Sequence, residues 1–176
     1  MEEVILLGSG SSRDRRLLVG GRYNFEGQHI TTLDIEPSHG TDIVWDLEKL
    51  PWPFADDSAD EIHAYELLEH LGHLGNAEEF FAHFNEIWRI LKPGGHLAAT
   101  CPAWNSRWAF GDPGHRRVIS RESLVYLQRP EYKKQVGITA MTDYRSIYIG
   151  DFDVMASQET EDTHAFVLKA IKPVRS

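Results

Sequence analysis

Three carboxylates stand where short apolar runs end: Asp34 after HITTL, Asp46 after DIVW and Glu66 after EIHAY. An acid at the tip of the second strand, Asp34, can accept hydrogen bonds from both hydroxyls of a ribose; the plainer alternative is an acid that simply starts a turn. Val4 to Leu7 run straight into Gly8-Ser9-Gly10-Ser11-Ser12, a turn whose glycines let the main chain bend sharply and approach a ligand. His70, His73 and His115 are side chains able to take or give a proton near neutral pH, and Glu66 and Glu69 lie close to the first two in sequence. A metal site from His70, His73, Glu66 and Glu69 lacks the HExxH spacing and a clear third ligand set, so no metal is expected. Cys101 sits in an apolar run and reads as a buried, inert thiol. Trp104, Trp108 and Phe110 read either as a stacking surface for a planar substrate or, slightly favoured, as cover for the edge of the core.

Positioning those groups requires strands that end on one rim. Val4–Leu7 is an apolar run of the kind buried in a parallel sheet. His29–Ile35 and Ile43–Trp45 read as the second and third strands, and a fourth lies around Glu61–Tyr65. Asn76–Lys92 is the clearest helix. Phe80, Phe81, Phe84, Ile87, Trp88 and Leu91 recur at helical spacing, Asn76 with Glu79 resembles a capping box, and Pro93-Gly94-Gly95 ends it. HLAATCP is a fifth strand. Residues 103–118 show no period and read as a loop over the crevice, followed by a helix from Ser120 to about Gln128. DFDVMASQ and HAFVLKAI, joined by ETEDT, read as an antiparallel hairpin at one sheet edge. Between the first two strands only a short, irregular helix over Asp14–Val19 is expected.

The 176 residues fit one domain, 1–176, with 103–150 as the region available to cover a substrate. Twenty-seven acids against 18 Lys and Arg argue against non-specific nucleic-acid or membrane-surface binding, and Arg13, Arg15 and Arg16 read as a solvated cluster. One cysteine excludes an intrachain disulfide. The acidic N-terminus has no signal-peptide pattern and no apolar run reaches membrane-spanning length, so the expected location is cytoplasmic.

Strand order and punctuation together resemble the class I S-adenosylmethionine-dependent methyltransferases, with VILLGSGSS, DIEP, the stretch WDLEKLPWPFADDSADEIHAYELLEHL and NEIWRILKPGGHL carrying the likeness. The short segment before DIEP resembles a subgroup, within the type 11 methyltransferases, found near sugar and polysaccharide genes. The resemblance implies a Rossmann-like, doubly wound, mostly parallel seven-stranded sheet with a C-terminal antiparallel hairpin and helices on both faces. It implies S-adenosylmethionine as cofactor, S-adenosylhomocysteine as product, and methyl transfer to a small-molecule or sugar-like acceptor by direct displacement; a homodimer is compatible with it. Carried over by position, Gly8, Ser9 and Gly10 border the methionine and ribose, Asp34 and Ile35 the ribose, and Asp46 and Leu47 the adenine. Tyr65 and Glu66 lie by the sulfonium. His70, His115 and Glu66 are then the candidate catalytic groups, and Asp112 with Arg116 a candidate loop lock.

Two positions depart from the family pattern. Leu6 stands where an acid is usual, and Ser12 where a third glycine is usual. The alternative reading is therefore a catalytically inactive, methyltransferase-like binding module. An open cleft beside Asp34 and Asp46 favours the enzyme; burial of Gly8 and Gly10 by a neighbouring side chain favours the module. Arg13 in place of a third glycine disfavours nicotinamide binding, and His63-Ala-Tyr-Glu66 lacks the Asn/Asp-Pro-Pro-aromatic motif of DNA amino-methyltransferases.

Overall fold

The computed structural model describes residues 2–14 and 28–175. Seven strands form one sheet: β1 (Glu2–Leu7), β2 (Gln28–Asp34), β3 (Ile43–Val44), β4 (Ala59–Tyr65), β5 (Leu91–Pro102), β6 (Phe152–Glu159) and β7 (Thr163–Ala170). Their order is β3-β2-β1-β4-β5-β7-β6. The first five are parallel and β7 runs antiparallel to both β5 and β6, which is the Rossmann-like doubly wound arrangement with a C-terminal hairpin. From β1 the chain winds outward through β2 and β3, then returns to the other side of β1 for β4 and β5. The carboxyl ends of β1 and β4 therefore flank the point where strand order reverses, where ligands bind in such sheets.

One face of the sheet carries the main core. Ile5, Ile62, Leu97 and Leu168 lie in one register row and Leu7, Ala64, Ala99 and Phe166 in the next. Against these rows pack Phe81, Phe84, Ile87 and Ile90 of α1 (Ala77–Ile90), all buried. Each such side chain removed from water contributes roughly 1.5–3 kcal/mol. Asn76 caps α1, its side chain accepting from the Glu79 main-chain N–H at 3.2 Å. Glu79 does not reach back to complete a capping box; its carboxylate takes His73 Nδ1 at 2.9 Å.

α1 ends at Ile90 and β5 begins at once, so the helix stops two residues short of the expected Lys92. Leu91 pairs with Ala59 and His96 with Glu61, which throws Lys92–Gly95 out as an irregularity inside the strand. A Cβ on Gly95 would stand 3.0 Å from the Asp60 carbonyl oxygen, so glycine is required there by close main-chain approach. α2 (Arg107–Gly111) interrupts the expected loop. The helix expected from Ser120 to Gln128 is shorter, α3 (Arg121–Val125), and a further helix not expected from the sequence follows, α4 (Arg129–Gln135), with Pro130 in its first turn. The short helix expected over Asp14–Val19 lies, apart from Asp14, outside the described residues, as do Arg15 and Arg16. Arg13 is half exposed, as a solvated cation is, and forms a two-pronged pair with Asp42, both bonds 2.8 Å, tying the end of the glycine turn to the start of β3. No helix among the described residues is long and apolar enough to cross a membrane.

Candidate active site

The glycine turn leaves β1 with Gly8 and Gly10 both at positive φ, 57° and 55°. At Gly8 the backbone angle favours glycine, and a Cβ would stand 2.7 Å from Leu67 Cδ1, so the end of the Leu67 side chain would have to shift. At Gly10 the space is open. Ser9 donates its main-chain N–H to the Leu33 carbonyl at 3.2 Å, which keeps the turn against the tip of β2.

Asp34 is the hub of that tip. Its Oδ2 accepts from Gly10 N at 2.9 Å, and its Oδ1 from Glu36 N at 2.9 Å and His39 Nδ1 at 3.1 Å. Burial pushes its pKa up, but the two main-chain N–H groups and His39 outweigh that and hold the carboxyl below its ordinary value. An ionised acid locked in one rotamer presents its remaining lone pairs in a fixed direction, as recognition of a diol requires.

Beyond it lies a cleft of about 440 Å³ whose walls include Gly8, Asp34, Ile35, Asp46, Leu47 and His70. That volume is within the range of small-molecule sites, roughly 300–1,000 Å³. Ile35 is 64 % exposed, an apolar side chain left facing a cavity. The Asp46 side chain accepts from Glu48 N at 3.1 Å and lies 3.8 Å from Lys49 Nζ. Leu47 is buried in the core, and its carbonyl is taken by Trp52 Nε1 at 2.9 Å. A second hollow of about 370 Å³, between the start of α1 and α3, holds His73, Phe80, Arg117 and Tyr126 but none of the strand-tip acids.

Tyr65 occupies a different place from the cleft wall. It lies with Leu6, Gly8, Ser9 and Ser12 around a small recess under the glycine turn. Its hydroxyl bonds His63 Nδ1 at 2.6 Å and His63 Nε2 bonds Glu61 at 2.8 Å, a buried Glu–His–Tyr chain along the second face of β4. Alternation of Glu61, His63 and Tyr65 in the sequence was the available signal for it. Leu6 pairs with His63 in the sheet, so the side of β1 where the family usually has an acid already faces a polar row. Glu66, just past β4, has a positive φ of 50° and is exposed, with its N–H on the Thr100 carbonyl at 2.8 Å.

His70 and His115 come together. Their rings meet edge to face with centroids 4.7 Å apart. His70 Nδ1 donates to the Gly114 carbonyl at 3.1 Å and His115 Nδ1 to the Trp108 carbonyl at 2.8 Å. A carbonyl only accepts, so in each neutral ring Nε2 keeps the lone pair. Glu69 joins them, a residue named in the sequence only as one base among several. Burial, with Glu66 and Asp112 adding negative charge, pushes its carboxyl up to about 8 against a partial pull from its own main-chain N–H. His73 points elsewhere, to Glu79. Asp112 and Arg116 do not lock one another: Asp112 accepts from Gly114 N at 2.7 Å, and Arg116 reaches Glu48 at 3.1 Å across the cleft mouth. Trp104, Trp108 and Phe110 are 55, 49 and 73 % exposed, so they do not cover the core edge. Cys101 is buried, its pKa raised by burial, and its Sγ lies 3.5 Å from the Ile119 carbonyl.

The family model described as a methyltransferase domain matches residues 7–99. A search of curated proteins gives no match. Among solved structures, a SAM-dependent methyltransferase from Archaeoglobus fulgidus aligns at TM-score 0.56 and 14 % identity over 96 % of this chain and 86 % of its own. The putative methyltransferase of Haloferax volcanii, solved with the Trm112 methyltransferase activator, aligns at 0.56 and 18 % over 97 % of this chain and 83 % of its own. The 1,6-didemethyltoxoflavin-N1-methyltransferase of Burkholderia thailandensis, solved with that substrate and S-adenosylhomocysteine, aligns at 0.58 and 13 % over 97 % of this chain and 71 % of its own. The matched span holds the glycine turn, all three strand-tip acids and Glu69-His70 and runs over half the sequence, and on that ground the chain belongs to the methyltransferase domain family.

Proposed function

We propose that this protein is an active enzyme that transfers the methyl group of S-adenosylmethionine to a small acceptor by direct displacement, leaving S-adenosylhomocysteine. The observation that carries the reading is the cleft at the strand-order reversal, where Gly8, Asp34, Ile35, Asp46 and Leu47 share one cavity with His70. In this pose Asp34 takes the ribose hydroxyls, Ile35 packs on the sugar and base, and Asp46 with the Leu47 main chain addresses adenine. Gly8, Ser9 and Gly10 border the methionine, with Tyr65 and Glu66 beside it.

A sulfonium is an activated leaving group, so the protein's main task is to align acceptor, methyl carbon and sulfur in line. The acceptor's lone pair forms the new bond to carbon while the carbon–sulfur electrons return to sulfur. An acceptor O–H or N–H also gives up a proton, and His70, His115 and Glu66 are the groups assigned to that end. Residues 103–150 form the acceptor-side cover within a single domain. The sugar-like acceptor rests on the resemblance of the segment before DIEP; the Burkholderia neighbour's small heterocyclic substrate supports a small acceptor in general terms. The Haloferax neighbour's activator makes a protein partner a second option beside a homodimer.

Asp34→Ala removes the diol acceptor and also frees the Gly10 and Glu36 N–H groups. Binding of S-adenosylhomocysteine, followed by calorimetry, falls by at least about 100-fold, two charge-assisted hydrogen bonds of about 1.5 kcal/mol each being lost. Unchanged affinity in a folded variant refutes the pose. The competing reading, an inactive binding module, draws on Leu6 and on Leu67 lying against Gly8; it predicts no cofactor binding in the parent protein either.

A further inference from the structure

Glu69 and His70 follow β4, whereas His115 belongs to the distant turn after α2, yet one carboxylate oxygen and one ring nitrogen of each histidine lie within 4.8 Å of one another. His115 Nε2 stands 4.0 Å from Glu69 Oε1 and 3.9 Å from Asp112 Oδ2. Those separations are too long for hydrogen bonds. They are somewhat wider than the roughly 3.4 Å between two ligands each about 2.1 Å from one tetrahedral cation, close enough for small side-chain movements to bring the groups onto it. Glu69 is 1 % exposed and, among the described residues, neither of its carboxylate oxygens has a well-formed hydrogen bond, its own main-chain N–H giving only a partial pull. A buried carboxylate without a partner is costly, and a bound ion is one of the few things that offsets that cost. Both imidazoles are already oriented as metal ligands usually are, with Nδ1 on a main-chain carbonyl and Nε2 bare.

We propose that Glu69, His70 and His115 bind one divalent first-row transition-metal ion through the Glu69 carboxylate and the two Nε2 atoms. Two imidazoles with a carboxylate favour zinc, cobalt or manganese over magnesium or calcium. Closing 4.8 Å to a shared cation takes side-chain shifts of up to roughly 0.8 Å. His70 also lines the cofactor cleft, so the ion stands at the acceptor's end, where an open coordination position takes the acceptor's oxygen and lowers its pKa. With the ion in place the histidines act as ligands, and the metal-bound acceptor needs no imidazole base. This role rests on the methyl-transfer reading; binding of the ion does not.

The test uses the full chain, stripped with chelator, titrated with cobalt(II) by visible absorption and with zinc(II) by calorimetry. Glu69→Gln and His115→Ala are compared with the parent, and His29→Ala, at the opposite end of β2 from the cleft, controls for exposed imidazoles. One ion binds per chain with a cobalt d–d band, at least about 10-fold more weakly in both site variants and equally in the control. Absence of binding at millimolar metal overturns the proposal, as does equal binding in parent and site variants. Glu69→Gln is nearly isosteric and preserves the fold, so its result stands if His115→Ala unfolds. S-adenosylhomocysteine affinity, read on the same samples, separates failure of the metal site from failure of the methyl-transfer reading.

Discussion

Glu69 links chemistry to stability in a single side chain. Its carboxyl, ordinarily at 4.5, is pushed up to about 8 in the folded protein, so in metal-free protein the folded state holds a proton that the unfolded chain releases. The stability this confers is complete below about pH 4.5 and is lost as pH rises toward 8, with Glu66, Asp112, His70, His115 and Arg117 facing the group. Glu69→Gln carries no such charge, so chemical denaturation at pH 8.5 should find it more stable than the parent by a few kcal/mol, since each tenfold change in proton affinity is worth about 1.4 kcal/mol. At pH 4.5 the two should agree. Equal stability at both pH values would contradict the buried-acid account. At this scale the strand-tip acids were legible because each follows an apolar run, and the bond from Gly10 to Asp34 ties the glycine turn to the first of them. The bond from Arg116 to Glu48 and the approach of His115 to Glu69 were not legible, since they join segments remote in sequence with no periodicity between them.

Among the elements, the glycine turn and α1 lend themselves to local tests. Gly8→Ala meets both a positive φ of 57° and Leu67 at 2.7 Å, and should lower stability by about 2 kcal/mol. Asn76→Ala removes the bond to Glu79 N and should cost about 1 kcal/mol, read from urea midpoints with an unchanged slope. α1 was legible because its apolar residues recur with a helical period and its cap precedes them. The looping-out of Lys92–Gly95 was not, since proline and glycines after a helix signal a stop equally whether or not the strand has already begun. α4 was missed for a related reason: Pro130 reads as an end, although proline also starts helices.

Across the whole molecule the strand order places the cleft. The β6–β7 hairpin completes the sheet by inserting β7 beside β5, and Asp151 anchors its base. Fully buried, Asp151 accepts from Arg129 N at 3.0 Å, and from Arg175 N at 2.9 Å, Nε at 2.8 Å and a terminal guanidinium nitrogen at 2.8 Å. Asp151→Ala leaves two main-chain donors without their acceptor, while Arg175 keeps Asp153 at 2.7 Å, and should destabilise by about 2–3 kcal/mol in denaturant titrations. The sheet and hairpin were readable from alternation and punctuation. The second-face Glu61–His63–Tyr65 chain was not recognised, because polar residues in a central strand look like solvent-facing positions until the sheet is seen to bury them.

Calorimetric titration of the parent protein with S-adenosylmethionine and then S-adenosylhomocysteine decides whether this cleft holds the cofactor. Micromolar binding of both, one molecule per chain, is the predicted result. No heat at millimolar ligand from correctly folded protein would mean that Leu6 and Leu67 have closed the site, and the methyl-transfer account would be wrong.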